Sequence, residues 1–358
     1  MCHGFLIPLA MTVWHPREQR PLARARYGAA VTSPAADGGQ PVSQGRGAGA
    51  GAGPGAGAGP GAGVGFRPVA RGLRWLLVTA AVLVGLAGIQ LLVFTAHTGQ
   101  YFAFTITSPL AAAFLGAGYW AAVPIEALAA RQRHWANARI SVPAVLTFTV
   151  LTLTVTLTHL SQLHLGAHHP APTQAVTAAW LAIYLAVPAL LALFLIRQTR
   201  APGTDPPRTA TLPRWLCAAL AAQATALAAA GLALFTAPAH AAWWPWALTP
   251  MLAQATGAWL IALAVATAHT IWERDPRRLR PAAAGSLAFP LLLAATLARY
   301  PHQFHWHTPT ATAYLTLLAT MLLTGTAILT QGRPPTARSR AGDDIADTIG
   351  IAGADPHR

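Results

Sequence analysis

The chain alternates between long apolar segments and short polar connections. Eight apolar stretches, each roughly 20 residues long, lie between residues 74 and 331. About 20 apolar residues cross a bilayer as a helix, and backbone groups in lipid must bond internally. The pattern therefore predicts an all-α polytopic membrane protein with eight transmembrane helices. The approximate limits are 74–96, 107–129, 140–160, 175–196, 214–236, 247–270, 282–300 and 310–331.

One of these stretches has a pattern that is typical of a strand in water. Threonine alternates with apolar residues from Thr147 to Thr158. An open strand is not viable in lipid, and the segment is long enough to span, so we predict a helix. Its hydroxyls can bond to carbonyls one turn earlier.

The apolar region repeats itself at an offset of 141 residues. Four helices per repeat is an even number, so both halves should insert in the same orientation, related by a pseudo-two-fold axis along the membrane normal. We predict two parallel four-helix repeats, residues 71–200 and 201–331. Matched blocks include Phe94-Thr95-Ala96 with Phe235-Thr236-Ala237, Pro109 with Pro250, Gly116-Ala117 with Gly257-Ala258, and Phe148 with Phe289.

Two segments of different composition flank the apolar region. Residues 47–65 are almost pure glycine and alanine, and residues 332–358 are polar. Such segments cannot bury enough apolar surface to offset their ordering entropy. We predict disordered cytoplasmic tails over residues 1–70 and 332–358.

Charge distribution sets the expected orientation. Hydrophobic residues make up 54% of the chain and charged residues 9%, so a bilayer must cover much of the surface. The net charge of +14 comes from arginine alone, and the arginines cluster in alternate loops and at both flanks, while the opposite loops carry only Arg299. By the positive-inside rule we expect both termini in the cytoplasm, and we expect the protein in the cell membrane. This placement also favours lipid over nucleic acid as the partner.

Histidine is abundant on the predicted outer side, which contains no acidic residue. Nine of the 14 histidines lie there, and the repeat relates His164 to His305 directly and His97 to His240 after a two-residue shift. Neutral imidazole is a common metal ligand, so these four residues could hold zinc, copper or a haem. The favoured interpretation is an amphipathic belt at the bilayer interface, with no cofactor. A pH-sensing role is the third interpretation.

Glu126 is the only carboxylate within a predicted span. An ionisable residue inside the membrane is a functional candidate by default. The alternative, which we favour, is an ion pair with Arg131 or Arg133 near the interface. The repeat partner of Glu126 is Thr267, so the second half lacks the carboxylate.

Three classes of function fit these features. The first is a transporter or permease with a site between the two repeats. The alternatives are a metal- or haem-binding membrane protein and a non-catalytic membrane scaffold. The chain has no phosphate loop, no His-Glu-x-x-His and no Gly-x-Ser-x-Gly motif, so we do not expect an enzyme.

Several blocks carry a resemblance to a family. The run Phe235 to Leu263 contains Trp244-Pro245-Trp246-x-Leu248-Thr249-Pro250 and Gly257-Ala258-Trp259-Leu260. With residues 203–208, Thr158-His159-Leu160 and His164, it resembles multi-pass integral membrane proteins of actinobacteria over about residues 70–300. The resemblance implies the membrane class and no established activity.

Overall fold

The computed structural model describes residues 65–331, and both predicted tails lie largely outside the described residues. Eight helices in this range are long and apolar enough to cross a membrane. The predicted all-α, eight-span class is confirmed, and the chain is a multi-pass membrane protein. The helices are α1 Arg71–Val93, α2 Pro109–Ala130, α3 Ser141–Thr158, α4 Ala171–Arg200, α5 Arg214–Thr236, α6 Pro250–Glu273, α7 Arg280–Arg299 and α8 Pro309–Gln331.

The observed helix ends differ from the predicted limits by a few residues. Helices α2 and α6 start later than predicted because Ser108 and Thr249 cap them, accepting hydrogen bonds from the amides of Ala111 and Leu252. A proline follows each cap at the first helical position. Helix α1 ends before residue 96 because Thr95–His97 forms a separate 3₁₀ turn.

The threonine-rich segment is helical, as predicted. Thr154 donates a hydrogen bond to the carbonyl of Val150 at 3.0 Å, and Thr158 donates to that of Thr154 at 2.9 Å. These two hydroxyls are thereby satisfied within their own helix, which suits a segment that lies in lipid.

The eight helices close into a ring. Going round it, the order is α1, α2, α7, α8, α5, α6, α3, α4 and back to α1. Helix α2, the second helix of the first half, therefore packs on α7, the third helix of the second half. In the same way α6, the second helix of the second half, packs on α3, the third helix of the first half. A parallel duplication would produce this exchange of neighbours, and the duplication itself stays a prediction.

Glycine permits the closest helix contacts in the ring. A Cβ atom on Gly116 of α2 would lie 2.7 Å from the backbone nitrogen of Leu92 in α1. A Cβ on Gly257 of α6 would lie 2.7 Å from the carbonyl oxygen of Gly231 in α5. Small residues at such positions let backbones approach, which is how helices associate in lipid. Two positions 141 residues apart thus make equivalent contacts.

Replacing either contact glycine by alanine should destabilise the bundle. We expect Gly116→Ala and Gly257→Ala each to lower the free energy of unfolding by about 1–3 kcal/mol, because the added methyl meets backbone atoms. Gly85→Ala is the matched control, since its Cβ would meet only a side-chain atom of Val123 at 3.7 Å. Thermal unfolding in mild detergent measures all three. Equal melting temperatures for the three variants would contradict the proposed role of close packing.

Candidate functional site

A cavity of about 120 Å³ lies in the centre of the ring, and all eight helices contribute to its wall. It occupies the half of the bundle where α1, α3, α5 and α7 begin, which we name the arginine-rich half; the other is the histidine-rich half. Most of the lining is apolar. The lining includes both members of several pairs that are 141 residues apart, namely Ala122 and Leu263, Ile125 and Ala266, Glu126 and Thr267, Ser141 and Ala282, Ala144 and Gly285, Val145 and Ser286, and Val187 and Ile328.

Glu126 lines this cavity and is almost fully buried, with 1% of its surface exposed. Its Oε2 atom has no hydrogen-bond partner among the described residues. The ion pair that we favoured from the sequence, with Arg131 or Arg133, is not among the salt bridges of residues 65–331. In the same range, no arginine or histidine contributes to the cavity wall. The carboxyl group therefore faces an apolar space without a cation from this part of the chain.

An aromatic layer bounds the cavity towards the histidine-rich half. It consists of Tyr119, Phe148, Tyr184 and Trp259. The two tyrosine hydroxyls are hydrogen-bonded at 2.7 Å, and the ring centroids of Phe148 and Trp259 are 4.0 Å apart. Gly118 makes room for the indole, since a Cβ there would lie 2.9 Å from Trp259. A void beside the layer, on its far side from the cavity, measures about 20 Å³, so the helices are closely packed there.

An ion network lies at the opposite end of the cavity. Glu273, the last residue of α6, is fully buried and accepts hydrogen bonds from Arg139 at 2.7 Å and from Arg278 at 2.5 Å. Arg139 also pairs with Asp205, and its guanidinium lies 4.7 Å from the ring centroid of Trp272. Asp275 completes the network through Arg278, at 3.6 Å. We use the term ion network for five charged residues, Arg139, Asp205, Glu273, Asp275 and Arg278.

The network lies next to the arginine-rich end of the cavity. Ser141 and Thr270 line the cavity, and they lie within one helical turn of Arg139 and Glu273 respectively. Arg274 has a φ of 55°, the left-handed conformation that ends α6 and turns the chain between Glu273 and Asp275. The aromatic layer and the ion network thus lie on opposite sides of the cavity.

The sequence alone does not reveal this network. The patterns around Asp205 and around Glu273 each indicate an ordered turn with local ion pairs. In the structure the two loops pair with each other through Arg139, at the start of α3. The signal that could have indicated the network is the scarcity of acidic residues. Residues 65–331 contain four acidic side chains, and three of them belong to the network, namely Asp205, Glu273 and Asp275.

The four predicted metal-binding histidines have different environments. His164 is buried, and its ring nitrogens bond the hydroxyl of Thr105 at 2.9 Å and the carbonyl of Phe102 at 3.0 Å. His97, His240 and His305 are exposed. Among the described residues no group of three or more His, Cys, Asp or Glu side chains is arranged to hold a metal ion. The zinc, copper or haem site stays a prediction.

Other histidines form polar contacts at the same end of the bundle. The Nε2 atom of His159 lies 2.7 Å from the Oε1 atom of Gln254 and links the end of α3 to α6. The ring of His169 lies between those of His164 and His168, with centroids 4.5 and 4.1 Å away. Desolvation, and then the neighbouring His168 and His164, lower the pKa of His169 below its ordinary value. His169 consequently resists protonation more than a free imidazole does.

The chain matches no protein family, no curated protein and no solved structure. The resemblance to actinobacterial membrane proteins therefore stays a prediction. We infer the function from the cavity, from Glu126, and from the aromatic layer and the ion network on either side of the cavity.

Removing the central charge of the ion network should destabilise the fold. In Glu273→Gln two buried guanidinium groups lose their shared carboxylate, and we expect a loss of about 3–5 kcal/mol in the free energy of unfolding. Asp205→Asn is the matched control, because its side chain is 32% exposed and should cost about 0–1 kcal/mol. Thermal or denaturant unfolding in detergent compares the two. A loss as large for Asp205→Asn as for Glu273→Gln would contradict the central role of Glu273.

Proposed function

We propose that this protein is a transporter or permease whose substrate site is the central cavity. The observation that carries the proposal is a cavity lined by all eight helices that contains a buried carboxyl group without a cation partner among the described residues. A buried polar group without a partner costs stability, so its presence suggests a role other than packing. A scaffold would gain nothing from such a group at its centre.

In this proposal the aromatic layer and the ion network are two barriers, and their presence on opposite sides of the cavity supports transport over permanent binding. The aromatic layer lies towards the histidine-rich end, and the ion network lies at the arginine-rich end. Transport requires that each barrier opens while the other is closed. An aromatic layer opens by side-chain and helix movement, whereas the ion network opens when charged groups exchange partners for water.

Prolines near the cavity support movement at this level. Pro188 and Pro290 lie inside α4 and α7. A proline removes the helical hydrogen bond to the carbonyl four residues earlier. Those carbonyls belong to Tyr184 and Ser286, which both line the cavity. The two helices are thus weakened next to the site, where a conformational change has to take place.

The proposed orientation is the one predicted from the arginines. With both termini cytoplasmic, the ion network faces the cytoplasm and the histidines face the outside. In that orientation the cavity lies in the cytoplasmic half of the bilayer of the cell membrane, and the closely packed aromatic layer lies between it and the outside.

Cysteine accessibility tests the proposal without knowledge of the substrate. The chain has two cysteines, which Cys2→Ser and Cys217→Ala remove. Ala144→Cys and Ala266→Cys then place single thiols in the cavity wall. If the site alternates, a membrane-impermeant thiol reagent should label both positions in right-side-out and in inverted vesicles. Labelling should be faster from the arginine-rich end, where the cavity lies.

The matched control is Leu323→Cys on α8, a lipid-facing position that is 69% exposed. It should be labelled from neither side, because a thiol in lipid does not ionise. Labelling of the cavity positions from one side only, or from neither, would contradict transport through this cavity.

A further inference from the structure

Glu126 is the one acidic side chain of residues 65–331 outside the ion network. The three acids of the network all pair with arginines, whereas the Oε2 atom of Glu126 has no partner in the described part of the chain. An isolated ionised carboxylate in an apolar space is costly, and a bound cation would remove that cost. A cation is thus the ligand that would stabilise the ionised form of Glu126 in this space.

Three hydroxyl groups of the cavity wall point to the same sign, whereas that of Ser141, which has no partner among the described residues, can donate as well as accept. Thr149, Thr267 and Thr270 each donate their proton to a carbonyl of their own helix. A hydroxyl that donates in this way has only its oxygen lone pairs left to offer. These lining residues can accept hydrogen bonds from a ligand but have no proton to give. An ammonium group, which only donates, suits these three acceptors.

The rest of the wall favours an apolar ligand body. Phe148, Tyr184 and Trp259 bound the cavity on the side of the aromatic layer, and aliphatic residues form most of the remainder. Aromatic faces attract cations within about 6 Å of the ring centroid. An apolar cavity of about 150 Å³ accommodates benzene. The volume here, about 120 Å³, suits an organic ion with a body of similar or smaller size.

We propose that the cavity binds a small lipophilic monocation, with its ammonium group on Glu126 and its apolar body against the aromatic layer. This inference rests on the proposed function and specifies the substrate class of the same site. Within residues 65–331 no arginine or histidine lines the cavity to repel the cation. One carboxylate balances one positive charge, which sets the valence of the ligand.

Three probes of nearly equal shape test the charge requirement. They are benzylammonium, benzyl alcohol and benzoate, which are respectively positive, neutral and negative at pH 7. A ligand that binds the folded protein raises its melting temperature with concentration. In wild type we expect benzylammonium to raise it at concentrations where benzyl alcohol and benzoate have little effect. Equal shifts for benzylammonium and benzyl alcohol would overturn the proposal, and this comparison needs no variant.

Variants then assign the effect to Glu126. Glu126→Gln keeps the shape and removes the charge, so its affinity for benzylammonium should fall by about tenfold or more. Glu126→Asp keeps the charge and should retain the preference for benzylammonium over benzyl alcohol. Thr225→Val, at an exposed position of α5 outside the cavity, is the matched control and should bind like wild type. Unchanged affinity in Glu126→Gln would overturn the assignment.

The two experiments separate the substrate class from the function. If the cavity thiols are labelled from both sides but benzylammonium is not preferred, the cation proposal is wrong and the transport proposal stands. If benzylammonium is preferred through Glu126 but the thiols are labelled from one side only, the transport proposal is wrong and the protein is a cation-binding membrane protein.

Discussion

Lipid supplies no hydrogen bonds and no counter-ions, so every polar group within the bundle depends on a partner inside the protein. Most of the chain meets this condition: threonines bond to their own helices, and Gln254 bonds to His159 across helices. The acids near the arginine-rich end meet it through Arg139 and Arg278. Several buried polar atoms of the described residues do not, and Glu126 supplies the only carboxylate oxygen among them. The proposed function depends on that carboxyl group.

Close packing and open space are distributed unequally round the ring. Glycines bring α1 against α2 and α5 against α6, and the aromatic layer fills the centre towards the histidine-rich half. In the arginine-rich half small residues such as Ala144 and Ala266 contribute to the wall and leave the cavity. The same alanine- and glycine-rich composition thus produces tight pairs where backbones meet and a void where they do not.

The sequence was sufficient for the presence and approximate limits of the eight helices, because length and hydropathy act locally. It also marked Glu126 as a candidate, but it favoured an ion pair with Arg131 or Arg133. Neighbours along a helix were visible in the sequence, whereas partners from other helices were not. Hence the network around Glu273 was missed, and so was the cavity, whose wall draws on all eight helices.

Both proposals require that Glu126, unlike the other acids of residues 65–331, lies unpaired in an apolar space. A lipid-soluble carbodiimide, which forms acylureas with carboxyl groups in apolar surroundings, tests this directly when the modified residues are identified by mass spectrometry. We expect modification of Glu126, prevented by benzylammonium, while Glu273, Asp205 and Asp275 stay unmodified between their arginines. An unmodified Glu126, or modification of Glu273 to the same extent, would contradict both proposals.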